Sequence, residues 1–174
     1  MKRLLDIFIR YLIIILFSLN GLFIFYFIFT PLTFTLVYLV SNLFFEVVKT
    51  SSTSILVNGF EVSLIPACVA GAGYYLLLLL NLSIPNITLT KRLKVLAFSF
   101  GLFLSVNVLR ILILIVLLAN NSIYFDITHK FFWYFLSTIF ILLIWFLEIK
   151  IFKIKSIPFY EDLLYFYRQS VFKK

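Results

Sequence analysis

Residues 66–73 read PACVAGAG, and they hold the chain's one cysteine, Cys68. Before them stands SILVNGFEVSLI, residues 54–65, two short β-rich runs around Asn58-Gly59. Asn-Gly is a favoured centre for a type I′ hairpin turn, so this segment is expected to be a hairpin. After them the sequence is apolar to Pro85. A hairpin with open edges cannot face lipid, whereas an apolar run of this length reads as a helix that crosses it. The join between the two therefore marks an aqueous boundary of a membrane protein, with Cys68 beside it.

Composition supports that class. The 174 residues are 64% hydrophobic and only 13% charged, with a mean hydropathy of +1.15. A water-soluble domain of this size could not bury so much apolar surface. The net charge of +8 is clustered rather than spread. Lys2, Arg3 and Arg10 lie near the start, Lys91, Arg92 and Lys94 in the middle. Lys150, Lys153, Lys155, Arg168, Lys173 and Lys174 lie near the end. Such clusters mark the cytoplasmic ends of membrane helices better than they mark a nucleic-acid site. One cysteine leaves no internal disulfide and no cysteine-based metal site. No residue pattern calls for a metal or an organic cofactor. No small-residue cleavage site follows the first apolar run, which is read as an anchor.

Further spans are expected on either side. Tyr11–Phe29 is the first, with Asp6 and Arg10 paired at i,i+4 before it and Thr30-Pro31 interrupting it. Leu32–Val48 is ambiguous: either a separate span, or a continuation of the first helix near the outer interface. Ala67–Pro85, Val95–Ala119 and a run from His129 to Leu147 complete the set, with NNSIYFDIT (residues 120–128) as a polar loop. Four spans put every basic cluster on one side and the hairpin on the other. A fifth would separate the N-terminal cluster from the rest, so the positive-inside rule favours four. The expected fold is an all-α membrane bundle of about four helices, five being possible, with an outer β-hairpin ahead of Cys68. It forms one membrane domain: an anchor and outer helix over 1–48, a core over 51–149, and a basic cytoplasmic tail over 150–174. Tyr160, Tyr165, Tyr167 and Arg168 suggest that the tail is amphipathic and rests on the membrane.

Three residues are conspicuous. Arg110 sits inside an apolar run, where a charge costs about 2.5 kcal/mol or more and usually has a task; snorkelling to the outer headgroups is the alternative. Asn107 precedes it by three and shares its face. His129 is the only histidine, either a proton carrier or an interfacial polar group. Trp133 and Ser137 follow it at i+4 and i+8. Cys68 is either inert packing or a nucleophile. A helix N-terminus there would favour its thiolate, and small neighbours, Gly71 among them, would leave room for a substrate backbone.

Helix rise gives their depths, at about 1.5 Å per residue. Arg110 lies 16 residues from Lys94, roughly 24 Å. His129 lies 19 residues from Glu148, roughly 28 Å, and Cys68 lies 23 residues from Lys91, at most about 35 Å. In a hydrocarbon core about 30 Å thick, all three fall at the outer leaflet. A thiolate, an imidazole and a guanidinium together suit acyl transfer: attack on a carbonyl, proton movement and oxyanion stabilisation.

ACVAG around Cys68, NVLR ending in Arg110 and THKFFWYFLS around His129 occur in the order, and at the depths, of the exosortase/archaeosortase membrane transpeptidases. The chain resembles that family from about Val57 to Trp145. It departs in having Val69 and Ala70 where the family commonly has Ser or Thr and then Gly. The short N-terminal part looks more like the small archaeal members. The resemblance implies a cysteine transpeptidase in the plasma membrane, with its site facing outward and its termini in the cytoplasm. It implies Cys68 as nucleophile, His129 as acid and base, and Arg110 as electrostatic stabiliser. Asn107, Gly71, Trp133 and Ser137 would support them. The implied substrate is a secreted protein with a C-terminal sorting signal, and the implied acceptor is membrane-borne and lipid-linked. A small membrane scaffold with no enzymatic activity is the rival reading, in which Arg110 makes an interhelical polar contact.

Overall fold

The computed structural model describes residues 2–19 and 21–169; Lys173 and Lys174 lie outside the described residues. In chain order the elements are α1 (Lys2–Leu19), α2 (Phe23–Ser41), β1 (Val47–Lys49), β2 (Ser54–Val57), β3 (Phe60–Ser63), α3 (Pro66–Val69) and α4 (Gly71–Leu82). Then follow α5 (Leu89–Ala119), α6 (Phe125–Phe131), a π-helical turn (Phe132–Leu136), α7 (Ser137–Ile151) and α8 (Tyr160–Gln169). Mostly helical, the fold carries one small antiparallel sheet in the order β1-β2-β3.

The hairpin forms where Asn58-Gly59 predicts it, with Val57 opposite Phe60. Both turn residues have positive φ, 47° and 88°, as a type I′ turn requires. Strand β1 was not expected. It joins β2 with Val47 opposite Val57, in a stretch assigned from sequence to the end of an apolar run. Buried Ile55, Val57 and Leu64 of the sheet segment pack with Phe34 and Val37 of α2 and with Val108, Ile111 and Ile115 of α5. The sheet is thereby fixed to the helical layer.

Helix boundaries depart from expectation in three places. The first break falls at Gly21 and Leu22, both left-handed at φ 56° and 62°, not at Thr30-Pro31. Pro31 lies inside α2. A proline removes one helical hydrogen bond, whereas a glycine in the left-handed region ends the helix outright. Residues 32–41 therefore continue α2 and form no separate span. The second departure is at Ala70, φ 58°, which separates the one-turn α3 from α4. Cys68 thus lies in a four-residue helix and does not open a long one, so the expected dipole on its thiol shrinks to that of one turn. The third concerns His129. It lies within α6, ahead of a bend of 48° between α6 with its π turn and α7, and does not open a straight span.

Helices α2 and α5 are long and apolar enough to cross a membrane, and the bent α6–α7 unit, counted as one span, would make a third. The apolar Pro66–Leu82 pair is shorter. The main core joins α1, α2, α4, α5 and α7. At its centre Tyr74 is fully buried and stacks on Phe29 with ring centroids 3.6 Å apart.

Three charges assigned from sequence to exposed clusters or helix ends are buried. Arg10 bonds Asp6 as expected, and also Asp162 of α8 (2.9 Å) and the carbonyl of Leu82. This contact docks the tail against α1. Arg92 donates to the carbonyls of Asn81 (2.6 Å) and Ile84 (2.8 Å), satisfying the end of α4. Glu148 is fully buried and meets Asn81 and Ser99.

Candidate active site

Cys68, Arg110 and His129 line a single cavity of about 250 Å³. Its walls come from four parts of the chain: the segment Glu61–Ile65 that carries β3, α3 through Cys68, α5 through Arg110, and α6 through His129, with Trp133 of the π turn beside it. The ruler of helix rise had placed these three side chains at one depth; the structure brings them to one space. A larger cavity of about 660 Å³, between α1 and α8, contains none of them.

The Cys68 backbone is held from α5. Asn107 Nδ2 donates to the carbonyl of Cys68 (2.9 Å) and to that of Val69 (3.3 Å), and Arg110 Nη2 donates to the Cys68 carbonyl (3.3 Å). The i,i+3 spacing of Asn107 and Arg110 is what lets both reach the same turn. Breaking the chain at Ala70 leaves these carbonyls without a continuing helix, and the α5 side chains supply the missing donors. Both residues are buried, so the two side chains satisfy carbonyls that water would otherwise have to reach.

Arg110 also reaches α7. Its Nη1 donates to Ser137 Oγ (2.8 Å), which in turn donates to the carbonyl of Phe132 (2.9 Å). That carbonyl lies five residues back, in the π turn. A guanidinium has five N–H donors, and Nε is buried with no partner. Three of the five N–H groups of Arg110 thus have no acceptor among the described residues.

Cys68 and His129 are both half-buried, and among the described residues neither makes a side-chain hydrogen bond. His129 lies between the rings of Phe125 and Trp133, at 5.8 and 6.3 Å between centroids. Trp133 is 45% exposed and lines both this cavity and a second one, of about 350 Å³, on the far side of Arg110. Ser137 lines that second cavity and not the first. The wider π turn between them, with its i→i+5 bonding, takes Ser137 off the His129 face that α-helical spacing implied.

The small residues after Cys68 serve packing. A Cβ at Gly71 would meet the Tyr26 ring at 2.7 Å, and one at Gly73 would run into the Phe103 ring. Gly71 also borders the second cavity, together with Gly73, Arg110 and Trp133. Sequence reasoning also missed the lining by Glu61 and Ser63 of β3. Their position in a hairpin just ahead of Cys68 was the available signal.

Chemically, the cavity offers a thiol, an imidazole and a partly free guanidinium to one small bound group, with strand β3 along one wall. Comparison of the chain with protein-family models, with curated proteins and with solved structures finds no match.

Proposed function

We propose that this chain is a membrane cysteine transpeptidase of the exosortase/archaeosortase type. The observation that carries the reading is that Cys68, Arg110 and His129, distant in sequence, line one cavity. In this reading the Cys68 thiolate attacks the carbonyl carbon of a substrate peptide bond. The free donors of Arg110 stabilise the developing oxyanion. Collapse of the tetrahedral intermediate breaks the C–N bond, and the leaving amine takes its proton from His129. The N-terminal part of the substrate is left as a thioester on Cys68. A nucleophile on a lipid-linked acceptor, or water, then gives its proton to His129, attacks the thioester and frees the thiol. The substrates are secreted proteins with C-terminal sorting signals.

The proposed topology has four crossings: α1 and α2 as one bent pass, then α3–α4, α5 and α6–α7. The hairpin and Cys68 face outward, with both termini and Lys91–Lys94 in the cytoplasm. Its support is the segregation of basic clusters together with the continuity of residues 32–41 with α2.

The test is co-expression with candidate proteins bearing C-terminal signals, read as a shift in substrate mass. Cys68→Ala is expected to abolish processing while the protein still accumulates in the membrane.

A specific observation favours the scaffold reading. Two donors of Arg110 and the amide of Asn107 are already spent on backbone and on Ser137, as in an interhelical polar contact. On that reading Arg110→Lys lowers abundance, and no secreted protein changes mass when the gene is deleted.

A further inference from the structure

Among the described residues the sheet ends at β3, whose one neighbour is β2. The pairing register shows which of its backbone groups are spoken for. Leu64 N donates to the Thr53 carbonyl at 2.8 Å. Bonded pairs recur every second residue in an antiparallel ladder, so Val62 with Ile55 and Phe60 with Val57 are bonded pairs too. The intervening pair Ser63–Ser54 joins hydroxyl to hydroxyl at 3.0 Å, as expected where side chains are closest. The N–H and C=O groups of Glu61 and Ser63 therefore point to the open edge. Among the described residues, neither backbone makes a hydrogen bond outside the sheet. Both residues line the cavity that contains Cys68, and the chain runs from β3 into Cys68 within five residues.

We propose that this edge is the peptide-binding site of the enzyme: an extended segment of the substrate adds to β3 as a fourth strand. It exchanges backbone hydrogen bonds with Glu61 and Ser63, and its next peptide bond lies at Cys68. The inference rests on the transpeptidase reading and deepens it. Edge strands are templates for just this pairing. A strand added here lies about 4.8 Å from β3, which places its backbone in the cavity. What fits is an extended peptide, because the wall offers donors and acceptors at the two-residue spacing of a strand. Strand β1, the other edge, contributes nothing to the cavity. In such a mode backbone pairing supplies affinity independent of sequence, and Glu61 supplies a negative charge for the side chain beside it.

The probe is N-acetyl-tetra-alanyl chloromethyl ketone, with iodoacetamide as the small reagent, applied to the purified full chain in detergent micelles. The Cys68 thiolate displaces chloride and the probe's methylene carbon becomes bonded to sulfur; the rate is read by intact mass. The peptide probe is expected to gain over iodoacetamide, relative to their rates with free cysteine. Ser63→Pro removes one outward N–H and is tolerated on an edge strand. It should slow the peptide probe about fivefold relative to iodoacetamide, the loss of one neutral hydrogen bond. Ser54→Ala, on β2, removes the same hydroxyl contact while leaving the edge intact; it should label at the wild-type rate, which controls for loss of that contact. Probes N-methylated at successive residues should alternate between slowed and unaffected. A peptide advantage that ignores both Ser63→Pro and N-methylation overturns the edge site and leaves the transpeptidase standing. No peptide advantage at all overturns both. Dimerisation through β3, abolished by Ser63→Pro while peptide labelling is unchanged, overturns the edge site in favour of a second copy of the chain.

Discussion

Arg110 donates through Nη2 to the backbone carbonyl of Cys68, across 42 positions of sequence and 3.3 Å of space. The same guanidinium holds Ser137 through Nη1. One side chain therefore ties the turn that carries the thiol to the start of α7, just past the bend that follows the histidine's helix.

This double attachment makes the planar fork matter. Arg110→Lys keeps the charge but offers a single ammonium that cannot span the Cys68 carbonyl and Ser137 in the same plane. Processing should fall at least about a hundredfold, the loss of roughly 2.7 kcal/mol of transition-state stabilisation. Membrane abundance should stay within about twofold of wild type, read by quantitative immunoblot. Activity retained in Arg110→Lys would mean that the charge alone suffices.

Asn107 tests the frame without touching the chemistry. Asn107→Ala leaves the Cys68 and Val69 carbonyls with fewer donors in a buried place, at a cost of about 1–3 kcal/mol. Thermal unfolding in detergent should drop, and the iodoacetamide rate at Cys68 should change as the turn loosens. An unchanged melting temperature would show that water replaces the amide.

Glycine substitutions separate packing from room for substrate. Gly73→Ala drives a methyl into Phe103 and toward Ile141 and should destabilise by about 1–3 kcal/mol. Gly101→Ala meets nothing within 4 Å in the middle of α5 and should be neutral or slightly stabilising. Phe103→Leu, which shortens the facing ring, should recover part of the Gly73→Ala loss. A Gly73→Ala protein that melts like wild type would contradict the packing assigned here.

Glu148 gives a prediction from hydrogen counting. Ser99 has one hydroxyl hydrogen, and Val95 O accepts from it at 2.8 Å. Glu148 Oε2 faces the same hydroxyl, and both carboxyl oxygens accept from the Asn81 amide. In Glu148→Gln the side-chain oxygen still accepts from Asn81 and the new N–H can donate to Ser99 Oγ, so the variant should lose no more than about 1 kcal/mol of stability. Glu148→Ala leaves Asn81 and Ser99 unmatched and opens a cavity, and should cost about 2–5 kcal/mol. A large loss in Glu148→Gln would mean that the carboxylate is the form the fold requires.

Much of this was legible in the sequence, for identifiable reasons. Asn58-Gly59 dictates its own turn, and helical rise put Cys68, Arg110 and His129 at one depth before any contact was known. The breaks at Gly21 and Ala70 were not read. An apolar run hides a local left-handed residue, and Ala70 takes that conformation against its own preference because Asn107 and Arg110 hold the carbonyls before it. Arg10, Arg92 and Glu148 were read as exposed or terminal because charge usually is. Their partners, Asp162, the carbonyls of Asn81 and Ile84, and Ser99, lie on other helices or, for Ile84, just beyond one, and periodicity carries no information about such pairings. Strand β1 was missed for the same reason: three residues become a strand only through a neighbour.

On the transpeptidase reading the sulfur of Cys68 forms a bond with substrate. The direct measurement is intact and peptide mass spectrometry of the protein purified after co-expression with a secreted protein bearing a C-terminal signal, quenched in acid. The expected result is an adduct on Cys68 equal in mass to the N-terminal part of the cleaved substrate, labile to hydroxylamine as a thioester is. Cys68→Ala is expected to show neither adduct nor cleavage. Cleavage that continues in Cys68→Ala would contradict that reading.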